Sequence, residues 1–511
     1  TSRNGEQSDL GYGTLVAGGN DGRWGLYNSI RSNNILIQKA AEYSGNAKEI
    51  QEYVSAAHFF RAYNYFSLLQ TFGGVPIVER PLSTNSAELR NPRNSRYEVV
   101  DFILSDLKKA IEGLPVEQNI ADDDKGHISR QAAKAFKARV LLYEATWRKY
   151  NGTSTDFEGS AEPARDQVNE FLEEAVVLAK EVMDDPAFRL WNFNGEAVMN
   201  NLSSRYLFCI ESKDSNPGGH GRDSNKEFIL YSVFDREINA GAIELNKNII
   251  PYLYPTRKFI DMFLCTNGLP IAENEQFEGY HAVGDEFKNR DYRLNAYVGA
   301  PTAVAKLSGT IGFNGYGVQK FACPGAKDKE ESPNYPVLRL AEVYLIYAEA
   351  LYERHGAIDD EALNASINKL RSRAGIAALT NKLVADHQLN MLNEIRRERA
   401  VELFLEGFRY DDLKRWGILE ETLNQSRLGM VVGQTGYLTP YKNAAGAVIT
   451  ANYDAGSYRF GEERVQTGDG ELSCVCIAPK SNCQVRKAHY LYPIPQDQIN
   501  LNGNLKQNPG Y

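Results

Sequence analysis

The chain has 511 residues, 42% of them hydrophobic and 24% charged, which is ample for a buried core without disulfide staples. A net charge of −9 argues against nucleic acid and against anionic lipid as the main partner. No run of 18 apolar residues occurs, so no stretch is suited to cross a membrane as a helix. Length alone suggests about three domains, although a helical repeat array of this size can form one unit.

Residues 1–22 are polar and glycine-rich, and TSRNGEQSDLGYG has no apolar signal-peptide core. Trp24, Tyr27, Ile30 and Ile37 then recur at helical spacing across 24–43. A second helix is expected over 47–72, where Ala56, Ala57 and Ala62 alternate with Phe59, Phe60, Tyr63, Tyr65 and Phe66. Small residues beside large rings let two helices approach closely. His58 lies within that aromatic face and reads as a hydrogen-bonded core residue. GGVPIVERP ends the helix in an extended, Pro-bounded exit.

A third helix is expected over 96–113, with Val99, Phe102, Ile103, Leu107 and Ile111 as its stripe. A fourth runs from an N-cap at Ser129 to about residue 150, and another spans 163–184. These Ala-rich amphipathic pairs resemble tetratricopeptide pairing, although no strict 34-residue repeat is legible. From 188 to 336 Gly, Asn, Pro and aromatics rise and helical periodicity survives only briefly, as in TRKFIDMFL. So long an irregular stretch inside a helical protein usually carries function.

Helices are expected again over 336–355, 359–374 and 391–417. In the last, Glu394, Glu398, Glu402 and Glu406 fall on one stripe, where like charges repel by a few tenths of a kcal/mol per pair. Relief within the helix is available from Glu394–Arg397, Arg399–Glu402, Glu406–Arg409 and Asp411–Arg415. A di-metal bundle would need a Glu-x-x-His pair, and no His lies near, so the stripe reads as an ion-pair lattice with a weak point at Gly407. After Gly417 the chain is rich in Gly, Asn and Tyr, and YLYPIPQDQ reads as a Pro-locked clamp over the helices rather than a strand.

The pattern Ile395, Glu398-Arg399, Glu402-Leu403, Glu406-Gly407-x-Arg409, Asp412-Leu413, Arg415-Trp416-Gly417 resembles the signature near the end of SusD/RagB-family lipoproteins. The final YLYPIPQDQINLNGNLKQNPGY is similar to that family's C-terminal seal, and YPTRKFIDMFLCTNGLPI and NRDYRL resemble further family segments. The resemblance implies a mainly α, tetratricopeptide-like scaffold with a large loop-rich insertion and an irregular C-terminal cap. It divides as 1–187, 188–336, 337–417 and 418–511 within one compact unit. It further implies a non-catalytic outer-membrane protein on the cell surface, held by an N-terminal lipid anchor not present in these residues. Such a protein captures oligosaccharides for a TonB-dependent, SusC-like transporter.

Catalytic motifs are missing: no H-E-x-x-H, G-x-S-x-G, Walker or Rossmann pattern occurs, and GGHG is too short for a phosphate loop. Glycosidase chemistry needs only two carboxylates about 5–10 Å apart, so Asp122–Asp124, Asp214, Asp223 and Asp235 keep a helical hydrolase or lyase open as an alternative. A peptide-capturing relative is the other. No calcium loop is present, and no cofactor or metal is expected. For Cys474, Cys476 and Cys483, zinc lacks a fourth ligand, while a loop disulfide and free thiols both remain open.

Sugars are gripped by flat aromatic faces with Asn, Asp and Arg reading hydroxyls, best carried on loops held by a rigid scaffold. Three loops supply such residues. The first offers Tyr12, Asn20, Asp21 and Arg23; the second offers Trp191, Phe193, Asn216, His220, Arg222, Tyr231, Phe234, Tyr252 and Tyr254. The third offers Tyr280, Tyr292, Phe313 and Tyr316. From these the candidate ligand-binding set is Tyr12, Asn20, Asp21, Arg23, Trp191, Asn216, His220, Arg222, Tyr231, Tyr254, Tyr280 and Tyr316.

Overall fold

The computed structural model describes the chain apart from residues 1–8, 20, 154–156, 238–252, 273, 282–283, 300–313, 324–330, 433–440, 443–447, 450–459 and 468–469. Helix α1 (Leu26–Ala41) follows a 3-10 turn at Gly22–Gly25. Helix α2 (Ala47–Phe72) starts where the Asn46 side chain accepts from the Lys48 amide at 3.1 Å, and it stops at Gly73. Helix α3 (Arg96–Gly113) carries a reciprocal cap: Ser95 Oγ accepts from the Glu98 amide at 3.2 Å and the Glu98 carboxylate from the Ser95 amide at 2.7 Å.

Ser129 caps α4 (Arg130–Asn151), as its sequence implies. Helix α5 (Val168–Met183) begins later than Pro163, because Gln167 is left-handed at φ +57° and Asp166 accepts from the Val168 amide. Successive helices pack α1 on α2, α2 on α3, α3 on α4 and α4 on α5. The alanines do the expected work: Ala57, Ala62, Ala132, Ala133 and Ala135 are buried, and Phe59 and Phe66 meet Phe136 at 5.3 and 5.6 Å. The architecture is thus mainly helical pairs.

The chain returns to this scaffold through α6 (Leu340–His355), which packs on α5 and on α8 (Met391–Glu402). Its expected first turn is instead a strand. Residues Tyr335–Arg339 form β2, antiparallel to β1 (Phe228–Ser232), with Phe228 opposite Arg339 and Ser232 opposite Tyr335. The helix expected over 359–374 breaks at Ser366 into Asp360–Ala365 and α7 (Ile367–Ala374). The long helix expected over 391–417 is also two, α8 and α9 (Arg409–Arg415), separated by a turn in which Leu405 and Gly407 both take positive φ.

That turn redirects the acidic stripe. Only Glu394–Arg397, at 3.1 Å, forms among the four pairs expected within the helix. Glu402 pairs instead with Arg293 at 2.8 Å, Arg339 at 2.7 Å and Arg373 at 2.6 Å, while Glu406 takes Arg339 and Lys320, each at 2.7 Å. Arg399 turns to Asp412 at 2.9 Å, and Arg415 to Glu349 at 2.5 Å. Apart from Arg397 and Glu406, which are partly exposed, these residues are buried, so each charge must find a partner, and partners on other segments tie those segments together.

The described residues of the C-terminal cap include a small sheet. Strands β3 (Arg427–Val432), β4 (Phe460–Thr467) and β5 (Gly470–Ala478) form an antiparallel sheet in the order β3-β5-β4. The tail beyond it clamps the first helices without joining a sheet. Tyr490, Leu491 and Ile494 are buried in the helical core, and the Tyr492 amide donates to the Thr71 carbonyl at 2.7 Å. A second core lies under the insertion, where Trp191, Phe208, Phe263 and Tyr297 pack with Val401, Val431 and Cys474. The six cysteines are free thiols.

Candidate functional site

The sheet pair β1–β2 brings one end of the insertion to the surface beside the helical scaffold. A small pocket opens there, lined by Leu207, Ile210, Arg222, Asn225, Phe228, Tyr231 and Asn334. Arg222 sits on a short 3-10 turn, Arg222–Ser224, and its Nη2 donates to the Ser332 carbonyl at 2.7 Å. Its Nε is buried and has no hydrogen-bond partner among the described residues. Tyr231 is half-buried beside it, and burial, reinforced by Glu117, raises its phenol pKa, so the ring stays a neutral donor.

The rim is set by a close approach from the α3–α4 connection. A Cβ on Gly126 would fall 2.6 Å from Val233 Cγ2 and 3.5 Å from the Tyr231 ring, so only glycine lets the loop after Asp122–Asp124 lie this close. Val233 remains largely exposed at that edge. The acidic trio ahead of Gly126 is exposed to solvent.

Adjoining the pocket is an aromatic shelf. His220 stacks on Phe193 with ring centroids 3.5 Å apart and meets Trp191 edge-on at 6.1 Å. The His220 Nε2 faces the Glu196 carboxylate at 3.0 Å. Trp191 is buried, with its Nε1 donating to Ser224 Oγ at 2.9 Å, which links the shelf to the Arg222 turn. Asn216 brackets the approach to His220: its carbonyl oxygen accepts from the His220 amide at 3.0 Å and its Nδ2 donates to the His220 carbonyl at 2.7 Å. Asn216 shapes the turn and presents little of itself.

The other sequence-selected residues lie elsewhere. Tyr280 and Tyr316 are buried around Arg257, whose Nη2 donates to the Tyr280 hydroxyl at 2.8 Å and whose Nη1 meets the Tyr316 hydroxyl. The Tyr316 hydroxyl in turn donates to Glu286 at 3.1 Å, so both phenols serve a buried ionic knot. Tyr254 is buried. Tyr12 is buried beneath the Arg427 guanidinium, 4.1 Å above its ring. Asp21 and Arg23 form an ion pair at 2.9 Å, with Arg23 over the Tyr492 ring. Asn20, Tyr252 and Phe313 lie outside the described residues.

Three participants were not selected from the sequence: Asn225, Asn334 and Glu196. Asn334 stands just ahead of β2, and its side chain accepts from the Phe234 amide at 3.2 Å; only the strand pairing, which joins residues a hundred positions apart, makes it a neighbour of Tyr231. Among the described residues no group of three His, Cys, Asp or Glu is placed to hold a metal ion. What the pocket offers is hydrogen bonding and ring contact.

Comparison with known proteins decides the family. Residues 226–511 match the SusD family, and residues 20–142 match a family described as starch-binding, associating with outer membrane. The chain belongs to the SusD family. A SusD-like protein of Formosa agariphila, P2, is 25% identical over 418 residues, covering 79% of this chain and 72% of its own. A SusD-like carbohydrate-binding protein of Bacteroides fragilis superposes with a TM-score of 0.71 at 21% identity, covering 99% of this chain and 90% of the other. A solved structure with xylogluco-oligosaccharide superposes at 0.59 and 18% identity, covering 94% and 86%.

In this SusD-family chain the motif that carried the resemblance is structural. Arg399, Glu402, Glu406 and Arg415 are lattice members, and the Trp416 Nε1 donates to Glu349 at 2.7 Å. These residues hold the scaffold still while the insertion presents side chains outward.

Proposed function

We propose that this protein is a cell-surface glycan-binding protein which captures oligosaccharides and makes or breaks no bond in them. Captured ligand passes to a TonB-dependent, SusC-like transporter in the outer membrane, to which the protein is held by a lipid anchor. Membership of the SusD family supports this reading, as do the carbohydrate-binding and oligosaccharide-bound proteins that share its fold. The observation that supports it is the Arg222–Tyr231 pocket, where a guanidinium and a neutral phenol line one small cavity beside a stacked Phe193–His220 shelf. A planar guanidinium offers paired donors to sugar hydroxyls, and a half-buried ring offers its face to the C–H surface of a pyranose.

Isothermal titration of the protein against a panel of plant and host polysaccharides tests the reading, with Arg222→Ala as the partner sample. Binding of at least one polysaccharide, weakened at least tenfold in the variant, is the expected result. Absence of binding across the panel sinks the glycan reading, and release of reducing ends during the titration replaces it with a hydrolase.

A further inference from the structure

Two cysteines far apart in sequence lie on neighbouring segments, one of which lines the pocket. Cys209 ends a 3-10 turn, Leu207–Cys209, and is fully buried; Cys323 is partly accessible. Their segments are pinned to each other at several points. The Phe208 and Phe321 rings lie 4.8 Å apart, Arg205 Nη2 donates to the Ala322 carbonyl at 3.3 Å, and the Cys323 Sγ lies 3.7 Å from the Phe208 carbonyl oxygen. Phe208, whose carbonyl the Cys323 sulfur approaches, is the residue next to Cys209.

We infer that Cys209 and Cys323 are a disulfide-forming pair, closed by a thiol–disulfide oxidant, which staples the two segments that flank the Arg222 pocket. Leu207 and Ile210, on either side of Cys209, line the pocket, as does Asn334, which follows Cys323 in the chain. The chemistry balances as follows. The Cys323 thiolate, the more accessible of the two, attacks one sulfur of the oxidant's disulfide and expels the other as thiolate. The Cys209 thiolate then attacks the Cys323 sulfur, forming the internal S–S bond and expelling the second oxidant thiolate. The pair loses two electrons, the oxidant gains them, and the protons shed by the cysteines pass to the released thiolates. The neighbouring Cys209 thiol, and then burial, push the Cys323 thiol pKa up, so the attacking thiolate is scarce at neutral pH and closure speeds up as pH rises. The remaining thiols, Cys265, Cys474, Cys476 and Cys483, are buried. This inference rests on the fold around Phe208 and does not depend on which ligand the pocket takes.

The test uses the folded full chain, oxidised glutathione as the oxidant, and alkylation after unfolding to count thiols. The expected result is loss of two of the six thiols, with peptide mapping that joins the Cys209 peptide to the Cys323 peptide. In Cys323→Ser no internal bond forms, whereas Cys476→Ser still loses the same two. An unchanged count, a glutathione adduct in place of an internal bond, or a bond among Cys474, Cys476 and Cys483 overturns the proposal. The mapping on the parent chain decides it even where Cys323→Ser does not fold.

Discussion

Arg373 Nη2 and Glu402 Oε1 stand 2.6 Å apart with neither side chain exposed to solvent, and Arg373 Nη1 reaches Glu227 Oε2 at the same distance. Through this one guanidinium, α7, α8 and the insertion ahead of β1 share a charge. Burial alone would raise the Glu402 carboxyl, yet Arg373, Arg339 and Arg293 hold it well below the usual carboxylate range. Removing the acid takes one carboxylate partner from each of three buried cations. Glu402→Ala is therefore expected to cost about 3–5 kcal/mol, read as a lowered urea midpoint. A midpoint equal to the parent's would show that the lattice is not what joins these segments.

Acid stability follows from a second buried pair. Glu349 accepts from Arg415 at 2.5 and 2.8 Å and from Trp416 at 2.7 Å. Burial raises its carboxyl pKa, Arg415 overrides that, and the net value is lowered to about 2. The folded value lies below the unfolded one, so the stabilisation is complete above the unfolded pKa and fades as pH falls from there towards 2. It amounts to about 3 kcal/mol. Melting temperatures measured from pH 7 down to pH 3 should fall, and Glu349→Gln should start lower and show a shallower slope. An equal slope in both would assign the acid sensitivity elsewhere.

Gly375 carries two constraints at once. It ends α7 at φ +68°, and an added Cβ would fall 2.2 Å from the Tyr292 ring. A left-handed non-glycine residue costs about 1–2 kcal/mol, and overpacking adds about 1–3. Gly375→Ala should lower stability by their sum. In a Tyr292→Ala background the same change should cost only the backbone share. Equal costs in both backgrounds would remove Tyr292 from the argument.

Helix stops of this kind were legible because they are local. Ser129, Gly73 and Gly375 announce their roles within a few residues of chain. The break between α8 and α9 was only half visible: Gly407 marks a weak point, but nothing in the identity of Leu405 foretells its φ of +61°. Strand β4, FGEERVQT, has too polar a composition to be read as sheet without its partner β5. The stripe of glutamates was visible and its partners were not, since Arg293, Arg339 and Arg373 come from segments that only the tertiary fold brings near. The same limit applies to the candidate site: composition could not separate Tyr316, buried on Arg257, from Tyr231, half-buried at the pocket.

The C-terminal clamp should be measurable through one amide. Buried Asn508 accepts from Arg93 Nη2 at 2.9 Å and donates to the Phe72 and Tyr492 carbonyls at 3.0 and 2.6 Å. Arg93 itself holds the Phe72 and Gly74 carbonyls at the end of α2. Asn508→Ala leaves a buried guanidinium nitrogen and a carbonyl short of partners, at about 1–3 kcal/mol. Thermal melting and proteolysis at the tail read the loss. Undiminished protease resistance would mean that apolar packing by Ile494 and Leu491 suffices for the clamp.

Two tyrosines from the same sequence-derived set are expected to separate grip from stability. Tyr316 is fully buried, its hydroxyl shared by Arg257 and Glu286, so Tyr316→Ala should cost about 3–5 kcal/mol of stability. Tyr231 is half-buried on the pocket wall, next to Arg222 and Asn334. Tyr231→Ala should therefore weaken retention on a polysaccharide gel while moving the melting temperature much less than Tyr316→Ala does. A Tyr231→Ala protein that unfolds early and binds normally would place Tyr231 with the scaffold, and the search for the ligand face would move to the Asp21–Arg23 edge, where Arg23 lies over Tyr492.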